Sequence, residues 1–327
     1  MQRRAFVGIA AVAASGLSPP AEAQAQGKPR RIALLSGFSR PNVNAFLAEL
    51  RPELEKLGWS EGRNIVILEP RVSDSVNERL PAAAADIVAQ KPDLILVQSV
   101  PATRALMRAT QSLPIVMYAV GNPVELGLVA DHHKPGGNVT GSSYLADELT
   151  RKLLQFIKEA APRLRTVALF SNPSNEAAPA LIRLVRVDEK TLGMQVQVLE
   201  VTSRADFDPA FAAIRRAGTE AIVLPPEPLI QTNREAIALF AKAHGLPLAI
   251  VGNSLATSGL LAYGPARLHY AQITAGFVDR ILRGAKPGDL PIERPTRFSL
   301  MVNLKAAADL GLAIPQSMLL RADEVIQ

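Results

Sequence analysis

The chain has 327 residues, 48% of them hydrophobic and 20% charged, with a formal net charge of +6 and no cysteine. That composition describes a globular protein with a sizeable core and, at this length, two domains. It excludes disulfides, thiolate metal sites and a cysteine nucleophile, and with aromatics at only 5% and basic residues scattered, it excludes a base-stacking nucleic-acid surface.

The N-terminus reads as an export signal. A basic head, Met1 to Arg4, precedes the apolar stretch Ala5 to Leu17, and Ala21-Glu22-Ala23 or Ala23-Gln24-Ala25 supplies a small-x-small cleavage site. The stretch is too short to cross a bilayer as a helix, which takes about 20 residues. Residues 1–25 are therefore expected to be removed. Arg3-Arg4 leaves both ordinary secretory and twin-arginine export open. A lipid anchor would need a cysteine at the cleavage point, so the expected product is free in the periplasm.

Beyond the signal, the chain repeats itself. RIALLSG at 31–37 returns as TVALFSN at 166–172, and IVILEP at 65–70 as VQVLEV at 196–201. DLILVQ at 93–98 answers EAIVLP at 220–225, and LPIVMYAVGN at 113–122 answers LPLAIVGN at 246–253. These apolar runs without alternation predict strands buried on both faces of a parallel sheet. Helices are predicted between them. Pro41 to Leu57 puts Phe46, Leu47, Leu50, Leu54 and Leu57 on one stripe and stops at Gly58, and Phe207 to Ala217 repeats the plan up to Gly218. Strand and helix alternating at this spacing predict an α/β protein of two Rossmann-like lobes, each with a doubly wound sheet. Ligands bind such sheets beyond the carboxyl ends of the strands.

That rule selects the candidate ligand-binding residues. From the first unit they are Ser36 and Phe38 after the first strand, Gln98, Ser99 and Thr103 after the third, and Tyr118 and Asn122 around the fourth. From the second unit they are Tyr144, Asn172, Asn175, Glu227 and Asn253. A helix N-terminus near Ser99 suits a ligand carboxylate, Phe38, Tyr118 and Tyr144 suit a ring, and Glu227 suits an amine. Each also has a structural reading as packing, helix cap or solvated group.

Other motifs do not assemble a catalytic centre. Asp131-His132-His133 lacks a second group of ligands at metal spacing, and Gly136 to Gly141 lacks the lysine of a phosphate loop. No G-x-S-x-G elbow occurs. No metal, no cofactor and no enzymatic activity are expected.

Three stretches carry a resemblance: GNPVELGLVADHHKPGGNVTG at 121–141, SGLLAYGP at 258–265, and the run from Ala275 to Ile326 containing KPGDLPIERPTRFSLMVNLKAAADLGLAIP. They resemble the ABC transporter substrate-binding proteins of the tryptophan/tyrosine type. The resemblance implies the type I periplasmic-binding-protein fold, two lobes joined by a three-crossover hinge. It implies a monomer that captures a small molecule, an amino acid or an aromatic or small carboxylate, and delivers it to an ABC permease with its ATPase subunits. Asn122 departs from the family's usual aspartate, and Asp131-His132-His133 from its usual small and apolar residues. The implied lobes are 28–141 with 252–285, and 142–251 with 286–327, with crossovers near 141–144, 252–254 and 287–295. A ligand-sensing receptor for a membrane kinase or chemoreceptor, and an exported enzyme, are the alternatives.

Overall fold

A computed structural model of the chain describes residues 28–252, 255 and 259–327; the expected signal segment and Asn253 lie outside the described residues. The first half runs β1 (Arg30–Ser36), α1 (Arg40–Lys56), β2 (Ile65–Ile67), β3 (Arg71–Val72), α2 (Leu80–Ala89), β4 (Leu94–Gln98), α3 (Val100–Ala109), β5 (Ile115–Gly121) and β6 (Val139–Tyr144). The second runs α4 (Ala146–Ala160), β7 (Thr166–Ser171), α5 (Ala178–Leu192), β8 (Gln195–Glu200), α6 (Phe207–Ala217), β9 (Ala221–Leu224), α7 (Pro228–Thr232), α8 (Arg234–Ala243), β10 (Leu248–Val251) and β11 (Leu261–Pro265). The remainder is α9 (Arg267–Leu282), β12 (Phe298–Asn303), α10 (Leu304–Asp309), α11 (Gln316–Leu319) and β13 (Glu324–Ile326).

The repeat is visible in the sheets. The first has the order β2-β1-β4-β5-β6, with β3 beside β1, and the second has β8-β7-β9-β10-β11-β12-β13. Among the described strands, only β11 and β12 pair antiparallel. Each sheet is covered on both faces, which is why its strands read as unbroken apolar runs. Ile32 and Leu34 of β1 face α1 and α9, while Ala33 and Leu35 face α2 and α3. In β7, Val167 and Leu169 face α4 and α5, and Ala168 and Phe170 face α6 and α8. The stripe read on the first helix is the buried face of α1, and Gly58 follows it at φ +88. Helix α6 ends at Ala217 and Gly218 adopts φ 62, as its sequence predicts.

Two of the expected crossovers are displaced. The segment 261–265, assigned by sequence to the first lobe, instead pairs with β10 as the fifth strand of the second sheet. It is the counterpart of β6. Only after Pro265 does the chain return, when α9 packs on α1 and contributes Ile273, Phe277 and Val278 to the first core. Likewise Leu290 and Ile292, assigned to the second lobe, pack in the cores of the first. The Glu293 N–H donates to the Gly141 carbonyl at 3.0 Å, so the last crossing falls between Glu293 and β12. The reason is that residues 261–265 extend the parallel ladder of the second sheet onto β10, so the crossing comes only after that strand.

Candidate functional site

The carboxyl ends of both sheets face each other across a cavity of about 340 Å³. One wall comes from the β1–α1 turn, the ends of β4, β5 and β6, and α9; the other comes from the segment after β9, the end of β10 and Pro265. Its volume is at the lower end of the roughly 300–1,000 Å³ of small-molecule sites. Polar contacts run between the lobes. Ser75 Oγ is 3.3 Å from Thr232 Oγ1, and Arg104 Nη2 donates to Glu176 Oε2 at 2.6 Å.

The first wall is aromatic. Phe46 and Tyr118 have ring centroids 4.2 Å apart, Tyr118 and Tyr270 are 5.5 Å apart, and Tyr270 and Tyr144 are 6.0 Å apart, all tilted. A backbone irregularity sets this wall. The β5–β6 register shifts between Met117 and Val120, and Ala119 adopts φ 51, with its N–H donated to Ser142 Oγ at 2.9 Å. A non-glycine residue at positive φ beside a cavity is strain held by its surroundings. It turns the end of β5 so that Tyr118 and Ala119 both line the cleft. Burial raises the phenol pKa of Tyr144 and of Tyr270, so both stay neutral at physiological pH.

Of the residues selected by sequence, Phe38, Gln98, Tyr118 and Tyr144 line the cavity. The other described ones are not part of its lining, and their polar atoms serve the scaffold. Ser36 Oγ donates to Gln98 Oε1 at 2.8 Å and accepts from the Phe38 N–H. Ser99, at φ 87, accepts from the Ala102 N–H at the start of α3, and the buried Thr103 donates its hydroxyl to the Ser99 carbonyl. Asn122 donates to Asp147 Oδ2 at 2.8 Å. Asn175 Oδ1 accepts from the Ala177 N–H ahead of α5.

Glu227, expected to meet an amine, is instead the N-cap of α7. It is only 9% exposed, accepts from the Ile230 N–H and from Asn172 Nδ2, both at 3.0 Å, and is not part of the cavity wall. Burial raises its carboxyl pKa above the ordinary 4.5, against the lowering effect of those donors. The folded state therefore holds this proton where the unfolded state has released it, and stability falls as pH rises from about 4.5 through the raised value. Glu227→Gln is expected to lose that dependence. In urea unfolding, the variant should gain on the wild type between pH 4 and 7, and a constant difference across that range would contradict the buried-acid account.

Sequence reasoning missed Phe46 and Tyr270 on the first wall and Gln231 and Arg234 on the second. Phe46 was read as core, which it also is, and Tyr270 belongs to a helix after the repeats end. Arg234 opens α8, and its Nε lies 3.8 Å from the exposed carboxylate of Glu235. Gln231 Nε2 donates to the Pro225 carbonyl at 3.0 Å. The signal for both was the repeat itself, which aligns the stretch after β9 with that after β4.

The remaining histidine motif is structural. Asp131 Oδ1 accepts from the His133 and Lys134 N–H groups, which lower its pKa, and His132 Nε2 is 2.9 Å from Arg294 Nη2. Among the described residues no group of three or more His, Cys, Asp or Glu is placed to hold a metal ion.

The profile of the family described as "ABC transporter substrate binding protein" matches residues 31–326. A curated relative, a tyrosine-binding protein of Clostridioides difficile (strain R20291), is 24% identical over 302 residues, which cover 91% of this chain and 86% of the relative. Among solved structures, an ABC domain in complex with L-Trp from Streptococcus pneumonia superposes with a TM-score of 0.83 at 23% identity, covering 91% of this chain and all of that one. A conserved domain protein from Vibrio cholerae O1 biovar eltor str. N16961 also gives 0.83, at 26% identity over the same shares.

Proposed function

Because the chain belongs to the ABC transporter substrate-binding protein family, we propose that it is a periplasmic receptor whose lobes close over one small solute and deliver it to a permease driven by ATPase subunits. The solute is an amino acid or an aromatic or other small carboxylate. The observation that carries this reading is the cavity walled by both lobes, aromatic on one side and bearing Arg234 on the other. A ligand that touches both walls favours the closed arrangement by its extra contacts there, and its loss releases the lobes about the crossovers. The tyrosine rings offer faces and edges for a ring at centroid separations of about 4.5–7 Å, and the guanidinium offers a paired donor for a carboxylate.

The test is a thermal-shift screen of the chain from about Gly27, unfolded and refolded to strip any bound solute, against amino acids, aromatic carboxylates and small amides. A ligand at a hundredfold excess over its Kd adds about 2.7 kcal/mol to apparent stability. A selective shift with the solute recovered chemically intact supports the receptor. A panel with no response among amino acids and carboxylates removes this solute class, and a converted solute removes the receptor reading in favour of an enzyme.

A further inference from the structure

Among the described residues, the cleft wall carries positive charge only. We propose that its solute is an aromatic carboxylic acid without an amino group, an aryl-alkanoate or arene carboxylate, rather than an amino acid; this rests on the solute class proposed above and narrows it.

An amino acid brings two charges into the cleft and needs an answer to each. Among the described residues, the cavity wall contains one charged side chain, Arg234, and no aspartate or glutamate. Two neighbouring carboxylates are engaged elsewhere. Glu227 caps α7 and accepts from Asn172, and Asp147 accepts from Asn122 Nδ2 and lies off the wall. Residues 253–258, of which only 255 is described, read NSLATS and hold no acid in the sequence. The carboxylate closest to Arg234, that of Glu235, is exposed and is not a wall residue.

An ammonium closed into this space loses its water beside a cation, with no counter-charge to offset the loss. Amide oxygens of Asn42 and Gln231 can accept its protons but carry no net charge, and Gln98 Oε1 already takes the Ser36 hydroxyl. The carboxylate is treated the opposite way. The planar guanidinium of Arg234 matches it with two parallel donors, and the Tyr144 phenol remains a neutral donor because burial keeps its proton on. Tyr118, Tyr144 and Tyr270 supply the apolar faces that an aryl group fills.

Matched compounds separate the two charges. Calorimetric titration of the full mature chain with 3-phenylpropanoate, L-phenylalanine and 2-phenylethylamine compares one skeleton as acid, zwitterion and amine; the 4-hydroxyphenyl and indolyl sets repeat it. The expected result is that in at least one set the acid binds tenfold or more tighter than the amino acid, and the amine does not bind. Arg234→Gln is expected to weaken the acid at least tenfold, with Arg234→Lys between, while apo unfolding temperatures stay together and so exclude a folding defect. An amino acid that binds as tightly as its deaminated acid overturns the inference and leaves the receptor standing. Acid binding that survives Arg234→Gln unchanged also overturns it. If no acid and no amino acid of any set binds, the broader solute class falls and the inference with it.

Discussion

Gly141→Val is expected to cost about 4 kcal/mol of stability, enough at this size to lower the unfolding temperature by roughly 10 °C. Gly141 lies in β6 at φ +130, a backbone conformation that side chains with a Cβ rarely adopt. A Cβ there would overlap the carbonyl oxygen and the amide nitrogen of Met117 on β5. Because the obstacle is backbone, no side chain can turn aside to relieve it. The site is also where three segments converge: β5 begins its irregularity at Met117, β6 passes beside it, and the chain returning from α9 bonds to the Gly141 carbonyl through Glu293. Gly137→Ala is the control, since a Cβ at Gly137 meets nothing within 4 Å. Thermal unfolding of both variants decides the matter, and a Gly141→Val protein that melts with the wild type would refute the close-approach account. In the second lobe Gly264 repeats the device, its Cβ position 2.8 Å from the Gly252 Cα.

Tyr270→Ala is expected to act on both stability and binding. The ring is 3% exposed and bridges Tyr118 and Tyr144, so its removal leaves a cavity in a wall that otherwise packs on itself. Large aromatic-to-alanine changes in cores cost about 3–5 kcal/mol, and the partial opening of this site to the cleft favours the lower end. Affinity for an aryl carboxylate should fall about a hundredfold, because the ring it loses is one face of the proposed aryl site. Tyr270→Phe should keep most of both. Among the described residues, its hydroxyl makes a long bond, 3.4 Å, to the Ser143 carbonyl. Chemical unfolding together with titration of 3-phenylpropanoate reads the two effects apart, and a Tyr270→Ala protein with undiminished affinity would remove this wall from the binding site.

Four strand pairs, β1 with β7, β2 with β8, β4 with β9 and β5 with β10, were legible as repeated apolar runs, because a strand buried on both faces has no polar side to interrupt it. The fifth pair was not. VTGSSY in β6 and LAYGP in β11 carry small and polar residues, needed where backbones approach closely at the hinge, and so lack the signature that marks the others. That gap is why residues 261–265 were assigned to the wrong sheet.

The site divides along a similar line. Phe38, Gln98, Tyr118 and Tyr144 lie at or just beyond strand ends, and the topological rule that selects such positions puts them on the cavity wall. Applied to Ser99 and Glu227, the same rule selects residues whose side chains cap helices, since hydroxyl and carboxylate groups suit orphan amides as well as ligands. Residue type alone does not separate the two uses.

The sequence by itself determined the duplicated α/β architecture and the end of each sheet at which a ligand sits, because strand burial and strand-to-helix order are properties of local pattern. Only the tertiary structure decided which side chains make the cleft. Tyr270 reaches it on a helix that crosses back from the second lobe, Arg234 faces it from the other lobe, and Glu227 is withdrawn from it by Asn172 and the Ile230 amide. The sign of the cleft's charge depends on those distant partners, and pairings between residues far apart in the chain leave no mark in its periodicity.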